Sequence, residues 1–206
     1  MVGGNPHLEG LDSHLLSVGM ISNIVQSKKK GNIHVFSELS STQDKAWELI
    51  SNGVPSGSLV ISGLQTAGRG RQGRVWHSPA GSLYFSLILF PVSFRRSNGI
   101  TLSAARALQL ALRSALGLET RFKLPNDLYF QEKKLAGIIL EVKDDKAVLG
   151  VGLNVNCRTG SWPAGVCAVS LREILNRRVS RCAILSAFLS NFQKELLTFR
   201  RFRDKI

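Results

Sequence analysis

The segments KLAGIILEV (134–142) and AVLGVGLNVN (147–156) are separated by four residues, KDDK. A link that short, centred on Asp144 and Asp145, reads as the turn of a β-hairpin and fixes two neighbouring antiparallel strands. The other apolar runs are arranged around this pair. NIHVFSEL alternates apolar and polar residues as a half-buried strand does, and SLVISGLQT and SLYFSLILF read as further strands. SSTQDKAWELISNG carries Ser and Thr as cap residues, Asp44 in a first turn and Gly53 as a stop, the marks of a helix of about three turns. TLSAARALQLALRSALG sets Ala104, Leu108, Ala111 and Ala115 on one face and Arg106, Gln109 and Arg113 on another, so it reads as an amphipathic helix ending at Gly117. TRFKLPNDLYF is a further short strand, and from Ser170 onward the spacing predicts two helices. Residues 1–32 hold a weak apolar patch and read as one short helix plus a tail.

With 206 residues, 44% of them hydrophobic, the chain can bury a sizeable core as one large or two small domains, and a single α/β or α+β domain is the default. Lys and Arg outnumber Asp and Glu by 27 to 14, a net charge of +13, which favours anionic partners: nucleic acid, phosphates, acidic proteins or lipid head groups. Cys157, Cys167 and Cys182 are odd in number and form no C-x-x-C pair, which suits free thiols in a reducing cytosol. No apolar run approaches the ~18 residues of a membrane span, and the N-terminus has no signal-peptide pattern, so the expectation is a soluble, cytoplasmic protein with no membrane partner.

Residues 68–79, GRGRQGRVWHSP, satisfy G-x-G-x-x-G through Gly68, Gly70 and Gly73. A dinucleotide-binding fingerprint must open a helix, whereas here Pro79 and Gly81 break any helix and a strand follows. The glycines instead let the backbone approach a ligand, and Arg69, Arg71 and Arg74 offer planar forks suited to carboxylate and phosphate. On composition alone, a loop for a ligand bearing both groups and a solvated basic loop touching nucleic acid are equally open. KLPNDLYFQEKKLAG separates them: Asn126 and Asp127 stand beside Lys123, Lys133 and Lys134. Nucleic acid has no need of that Asn-Asp, whereas an ATP site uses lysine for phosphate charge and Asp or Asn for magnesium.

QTAGRGRQGRVWHSPAGSLYFSL, KLPNDLYFQEKKLAGIILEV and GVGLNVN, preceded by SSTQD, together resemble the catalytic domain of biotin protein ligase over roughly residues 33–200. The resemblance implies an α+β fold with a mixed, largely antiparallel sheet backed by helices, similar to the class II aminoacyl-tRNA synthetase catalytic fold. It implies activation of biotin by ATP and Mg2+ to biotinyl-5'-AMP, then transfer to a lysine of the biotin carboxyl carrier protein of acetyl-CoA carboxylase. Carried over by position, Ser41, Thr42, Gln43 and Gln65 line the biotin pocket. Arg69, Gly70 and Arg71 belong to a loop that is mobile when empty and folds over biotin and its adenylate. Arg74 lies near the nucleotide phosphates, Trp76 packs toward the adenine side, and Ser86 faces the biotin rings. Lys134 bonds the carboxylate and the transferred phosphate and, with Arg69, forms the catalytic pair. Gly150 and Gly152 belong to the biotin pocket, and Asn154 completes its floor beside the adenylate. Lys123 and Asn126 go with ATP, and Asp127 with the metal.

Plainer readings accompany these. Trp76 also reads as core, Gly150 and Gly152 as close strand packing, Ser41 as a helix cap and Asn126 as a turn residue. Leu124 stands where the family has an aromatic residue, and Gln43 where Asn is commoner. The expected organisation is an N-terminal extension over 1–32, without a DNA-binding domain, and a catalytic domain over 33–206, without the C-terminal β-barrel of many relatives. Specific DNA binding is not expected. An exposed sheet edge leaves a homodimer open beside a monomer. The alternatives are a lipoate or octanoate ligase and a basic nucleic-acid-binding module.

Overall fold

The computed structural model describes residues 31–92, 97–158, 160 and 162–203. The strands are β1 (Ile33–Leu39), β2 (Leu59–Gln65), β3 (Leu83–Leu89), β4 (Arg121–Lys123), β5 (Asp127–Phe130), β6 (Lys133–Lys143) and β7 (Lys146–Leu153). The helices are α1 (Thr42–Ser51), α2 (Ser97–Leu116), α3 (Leu171–Leu175) and α4 (Arg181–Arg203). All seven strands form one sheet in the order β1-β2-β3-β7-β6-β5-β4. β1 and β2 are parallel, joined across α1, and every other pairing is antiparallel, so the sheet is mixed and largely antiparallel. The hairpin read from KDDK is β6–β7, with Lys143 opposite Lys146 and Asp144 in the left-handed region at φ 54°.

Strand periodicity of two decides what each face of the sheet carries. On one face Leu59 and Ile61 of β2, Phe85 and Leu87 of β3, Leu149 and Val151 of β7 and Ile138 of β6 join the main core. α2 and α4 pack on each other and cover this face, and Phe85 meets Phe188 of α4 edge-on at 5.1 Å between ring centroids. On the opposite face α1 packs over β2, β3 and β7, burying Ala46 against Val60, Ile88 and Val148. Beyond the N-terminus of α1 that face is uncovered, and the alternation brings Gly150 and Gly152 of β7 and Gly137 of β6 to it.

Two elements differ from the sequence reading. TRFKLPNDLYF is two strands with a turn over 124–126, because Pro125 has no N–H to give a continuous ladder. α2 begins at Ser97, earlier than the spacing of its apolar residues indicates. The two helices expected after Ser170 are α3 and α4. α3 opens with a capping box, in which Ser170 Oγ accepts from the Glu173 N–H at 3.3 Å and a Glu173 carboxylate oxygen accepts from the Ser170 N–H at 3.0 Å. The helix expected within 1–32 lies outside the described residues. Among the described residues no helix is long and apolar enough to cross a membrane.

Candidate functional site

The uncovered part of the sheet forms the floor of a cavity of about 430 Å³. One end is walled by the start of α1. Ser41 caps that helix, its Oγ accepting from the Gln43 N–H at 3.2 Å, and also lines the cavity. Gln65, at the end of β2, accepts through Oε1 from the Thr42 N–H at 2.8 Å and from Thr42 Oγ1 at 3.1 Å, while its Nε2 donates to Ser78 Oγ at 2.8 Å. Ser86 Oγ lies 2.9 Å from both Thr42 Oγ1 and Gln43 Oε1, so its single proton serves one of them at a time. Gln43 Nε2 reaches the Val148 carbonyl at 3.4 Å, and this closes a compact neutral polar wall of alternating donors and acceptors.

The opposite wall is cationic. Arg69, Arg71, Arg74, Lys123 and Lys134 all line the cavity, and Asp127 is the sole carboxylate among its lining residues. Lys134 Nζ sits 2.8 Å from Asp127 Oδ2 and 5.1 Å from the centre of the Trp76 ring. Asp127 Oδ1 and Trp76 Nε1 are buried without a hydrogen-bond partner. Trp76 Nε1 is turned onto the sheet, 2.5 Å from where a Cβ on Gly152 would stand, and Asp127 belongs to the cavity lining.

The Gly-Arg loop folds back as a small hairpin over this cavity. The Trp76 N–H donates to the Gly68 carbonyl at 2.9 Å and the Gly70 N–H to the Arg74 carbonyl at 2.7 Å. A Cβ on Gly68 would stand 2.5 Å from Ser78 Oγ and from the Trp76 carbonyl, so a side chain there prevents the fold-back. Trp76 anchors the loop onto the sheet: Cβ atoms on Gly152 and Gly137 would lie 2.5 and 2.9 Å from its indole. The arginines differ in partner. Arg69 Nη1 is 2.8 Å from Asp44 Oδ1 and its Nη2 is 3.0 Å from Glu141 Oε1, whereas Arg71 Nη1 reaches only Asn126 Oδ1 at 3.5 Å and Arg74 pairs with Gln72 at 3.1 Å.

Ser41, Thr42, Gln43, Gln65, Arg69, Gly70, Arg71, Arg74, Trp76, Lys123, Asn126, Asp127, Lys134, Gly150 and Gly152 are thus brought to one cavity. Ser86 and Asn154 are not among its lining residues. Ser86 stands behind Thr42 and Gln43, and Asn154 lies beneath Lys134, its Nδ2 donating to the Val169 carbonyl at 3.2 Å and to the Lys134 carbonyl at 3.4 Å. Sequence reasoning missed Asp44 and Glu141 as partners of Arg69, and Val75, Tyr129 and Ile139 as lining residues. The available signal for Glu141 was parity: it shares a strand face with Gly137 and Ile139. Among the described residues no group of three or more His, Cys, Asp or Glu side chains is placed to hold a metal ion.

Fold and site together define an α+β domain of the class II aminoacyl-tRNA synthetase type, with a pocket on its open sheet face that is cationic on one wall and neutral polar on the other. Residues 35–157 match the model of the Biotin/lipoate A/B protein ligase family, and the chain belongs to that family. It is 37% identical over 175 residues to the bifunctional ligase/repressor BirA of Bacillus subtilis, covering 81% of this chain and 52% of that protein. It is 37% identical over 105 residues to the biotin–[acetyl-CoA-carboxylase] ligase of Mycobacterium tuberculosis, covering 48% of this chain and 40% of that one. The biotin protein ligase of Aquifex aeolicus in complex with biotin and ATP superposes with a TM-score of 0.75 at 34% identity, over 85% of this chain and 76% of that chain. The chain spans about half the length of the Bacillus protein.

Proposed function

We propose that residues 33–206 form the catalytic domain of a biotin protein ligase, preceded by an extension over 1–32, which activates biotin with ATP and passes it to a lysine of a biotin carboxyl carrier protein. The observation that carries this reading is the two-sided cavity: a neutral wall of Ser41, Thr42, Gln43 and Gln65 suits a fused ring rich in amide-like groups, and Lys134 with the loop arginines faces where a carboxylate and a phosphate must meet. The family match and the likeness to a ligase that binds biotin and ATP support it.

In the first half-reaction a biotin carboxylate oxygen attacks the α-phosphorus of ATP, forming the acyl-phosphate anhydride and releasing pyrophosphate. Two anions approach each other, so the barrier falls only where cations are already in place. Lys134, Arg71 and Arg74 supply that charge, while Arg69 is paired with Asp44 and Glu141. Lys134 is held for it by Asp127 at 2.8 Å and by the backbone grip of Asn154. In the second half-reaction the acceptor amine attacks the acyl carbonyl and AMP leaves. The anhydride is open to hydrolysis, and the hairpin loop with Trp76 seated on the sheet keeps water from it.

Magnesium fits as part of this reading. Asp127 Oδ1 is a buried acceptor without a partner, and Mg2+ characteristically takes one or two carboxylates plus substrate phosphate oxygens. When bound, it would offset phosphate charge from Asp127. A cytoplasmic setting belongs to the same reading, supported by three free cysteines, as does a homodimer, supported by the outer edge of β1, a seven-residue strand that pairs on its other side with β2.

Incubating the protein with biotin, ATP, Mg2+ and a carrier domain tests the reading directly. Intact and peptide mass spectra should show one biotinyl group on one lysine. Absence of label, with lipoate accepted in its place, would reassign the chain to the lipoate-transferring branch.

A further inference from the structure

Among the described residues Arg69 is the one loop arginine held by carboxylates, and those carboxylates belong to the body of the domain. Asp44 comes from the first turn of α1 and Glu141 from β6, so the guanidinium bridges the helix that walls one end of the cavity and a strand of its floor. Glu141 is itself fixed, because Trp47 Nε1 donates to its Oε2 at 2.7 Å and Trp47 packs with the cluster beneath α1. Arg69 Nη2 lies 3.1 Å from that same Oε2 and 3.0 Å from Oε1, while Nη1 faces Asp44, so its two terminal nitrogens are divided between the two carboxylates. Arg71 and Arg74 have no carboxylate partner among the described residues and point their charge toward the cavity.

We propose that Asp44 and Glu141 form an acidic clasp that grips Arg69 and thereby holds the Gly-Arg loop shut over the reaction intermediate. They are positioning residues that act through Arg69. This rests on the reading of the cavity as a biotin-activating site, but the clasp itself is a statement about the loop and is measurable without substrate. The two carboxylates act on one guanidinium across partly exposed ground, where each pair contributes modestly and is weakened by salt. Their joint removal should therefore open the loop by roughly three- to tenfold, leaving the fold intact.

The test uses the full chain with Glu141→Gln, Asp44→Asn and the double variant. Gln keeps an acceptor for Trp47, so the change is one of charge. Amide exchange over residues 67–77 and trypsin cleavage after Arg71 and Arg74 in ligand-free protein should quicken by roughly three- to tenfold in the double variant, with exchange in β3 and β7 unchanged. In an Arg69→Gln background the same acidic substitutions should have no further effect on the loop. With biotin, ATP and Mg2+, single-turnover adenylate formation by the double variant should stay near wild type, and adenylate should escape into solution faster by a similar factor. Unchanged loop exchange, or equal acceleration with and without Arg69, overturns the clasp whatever the chemistry. If the loop responds as expected and wild type makes no adenylate, the clasp stands and the functional reading falls.

Discussion

Gly152→Ala adds a single methyl group and should uncouple the loop from the sheet. The Gly152 backbone lies outside the left-handed region, so alanine meets no conformational penalty. The penalty is steric: the new Cβ would stand 2.5 Å from Trp76 Nε1, 2.6 Å from Cε2 and 3.0 Å from Cζ2. Ordinary carbon contacts are ~3.5–4.0 Å, so the indole must withdraw by about 1 Å. In a rigid core such overpacking costs ~1–3 kcal/mol. Trp76 rides on the loop, however, and can leave the sheet without disturbing β7. The cost therefore falls on the closed loop alone, and at ~1.4 kcal/mol per factor of ten it lowers the closed population by roughly five- to 150-fold. Calorimetry should show biotin affinity reduced within that range, exchange over 67–77 should rise, and the melting temperature should hold to within about 4 °C. Gly150→Ala is the companion, since its Cβ would press on Ile139 and on Gln43 at 3.0 Å instead of Trp76. It should weaken biotin binding without freeing the loop. Wild-type affinity in Gly152→Ala, or a melting temperature lowered by ~10 °C with the loop still closed, would refute the view that Trp76 yields before the strand does.

Lys134→Ala should slow adenylate formation by about ten- to a hundredfold in single-turnover assays, as loss of a charge-assisted bond of roughly 1.5–3 kcal/mol implies, whereas Arg71→Gly should still form adenylate and release it to label bystander protein. Burial of His34 on β1, aided by the nearby Lys45 charge, holds its imidazole below the ordinary value of 6.5. The unfolded chain then binds more protons, so the His34 contribution is complete above pH ~6.5 and declines as the pH falls through and below it. Denaturant titrations of wild type and His34→Gln should diverge between pH 7.5 and 5.5, with the variant less sensitive. Cys157 is buried and its thiol is pushed up to about 11, chiefly by that burial, while Cys182 is buried and Cys167 exposed. Iodoacetamide should modify Cys167 in the native protein and reach Cys157 and Cys182 only after denaturation.

Legibility in the sequence followed the range of the interactions involved. The β6–β7 hairpin, α1 with its Ser41 cap and α4 with its apolar spacing are local, and all could be read from neighbouring residues. The Gly-Arg loop alone leaves a small-ligand site and a nucleic-acid contact equally open, and it is Asn126 and Asp127 beside the lysines that separate the two. What could not be read was convergence. Nothing around Glu141, the sole acidic residue of β6, marks it as a partner for Arg69, since that pairing needs the loop after β2 folded back over β6. Trp76 admits both a core and a ligand role because it packs on Gly152 and Gly137 and also lines the cavity. Ser86 and Asn154 are pocket residues by the family resemblance alone; their side chains do not line the cavity and bond residues that do, Ser86 with Thr42 and Gln43 and Asn154 with the Lys134 carbonyl.

The sheet order also bears on when such a site can exist during synthesis. β3 pairs with β7, so Phe85 meets Val151 only after α2, β4, β5 and β6 have been made. The floor of the cavity is thus among the latest parts of the domain to come together, and closing so long a stretch of chain is a slow step in folding. A nascent chain halted before β7 would already display its Gly-Arg loop and the start of α1, but would lack Gly152 and the strand that holds β6, with its Gly137, beside β3. Retention of a small ligand would then report that β7 has been inserted, and would be absent from products that end before it.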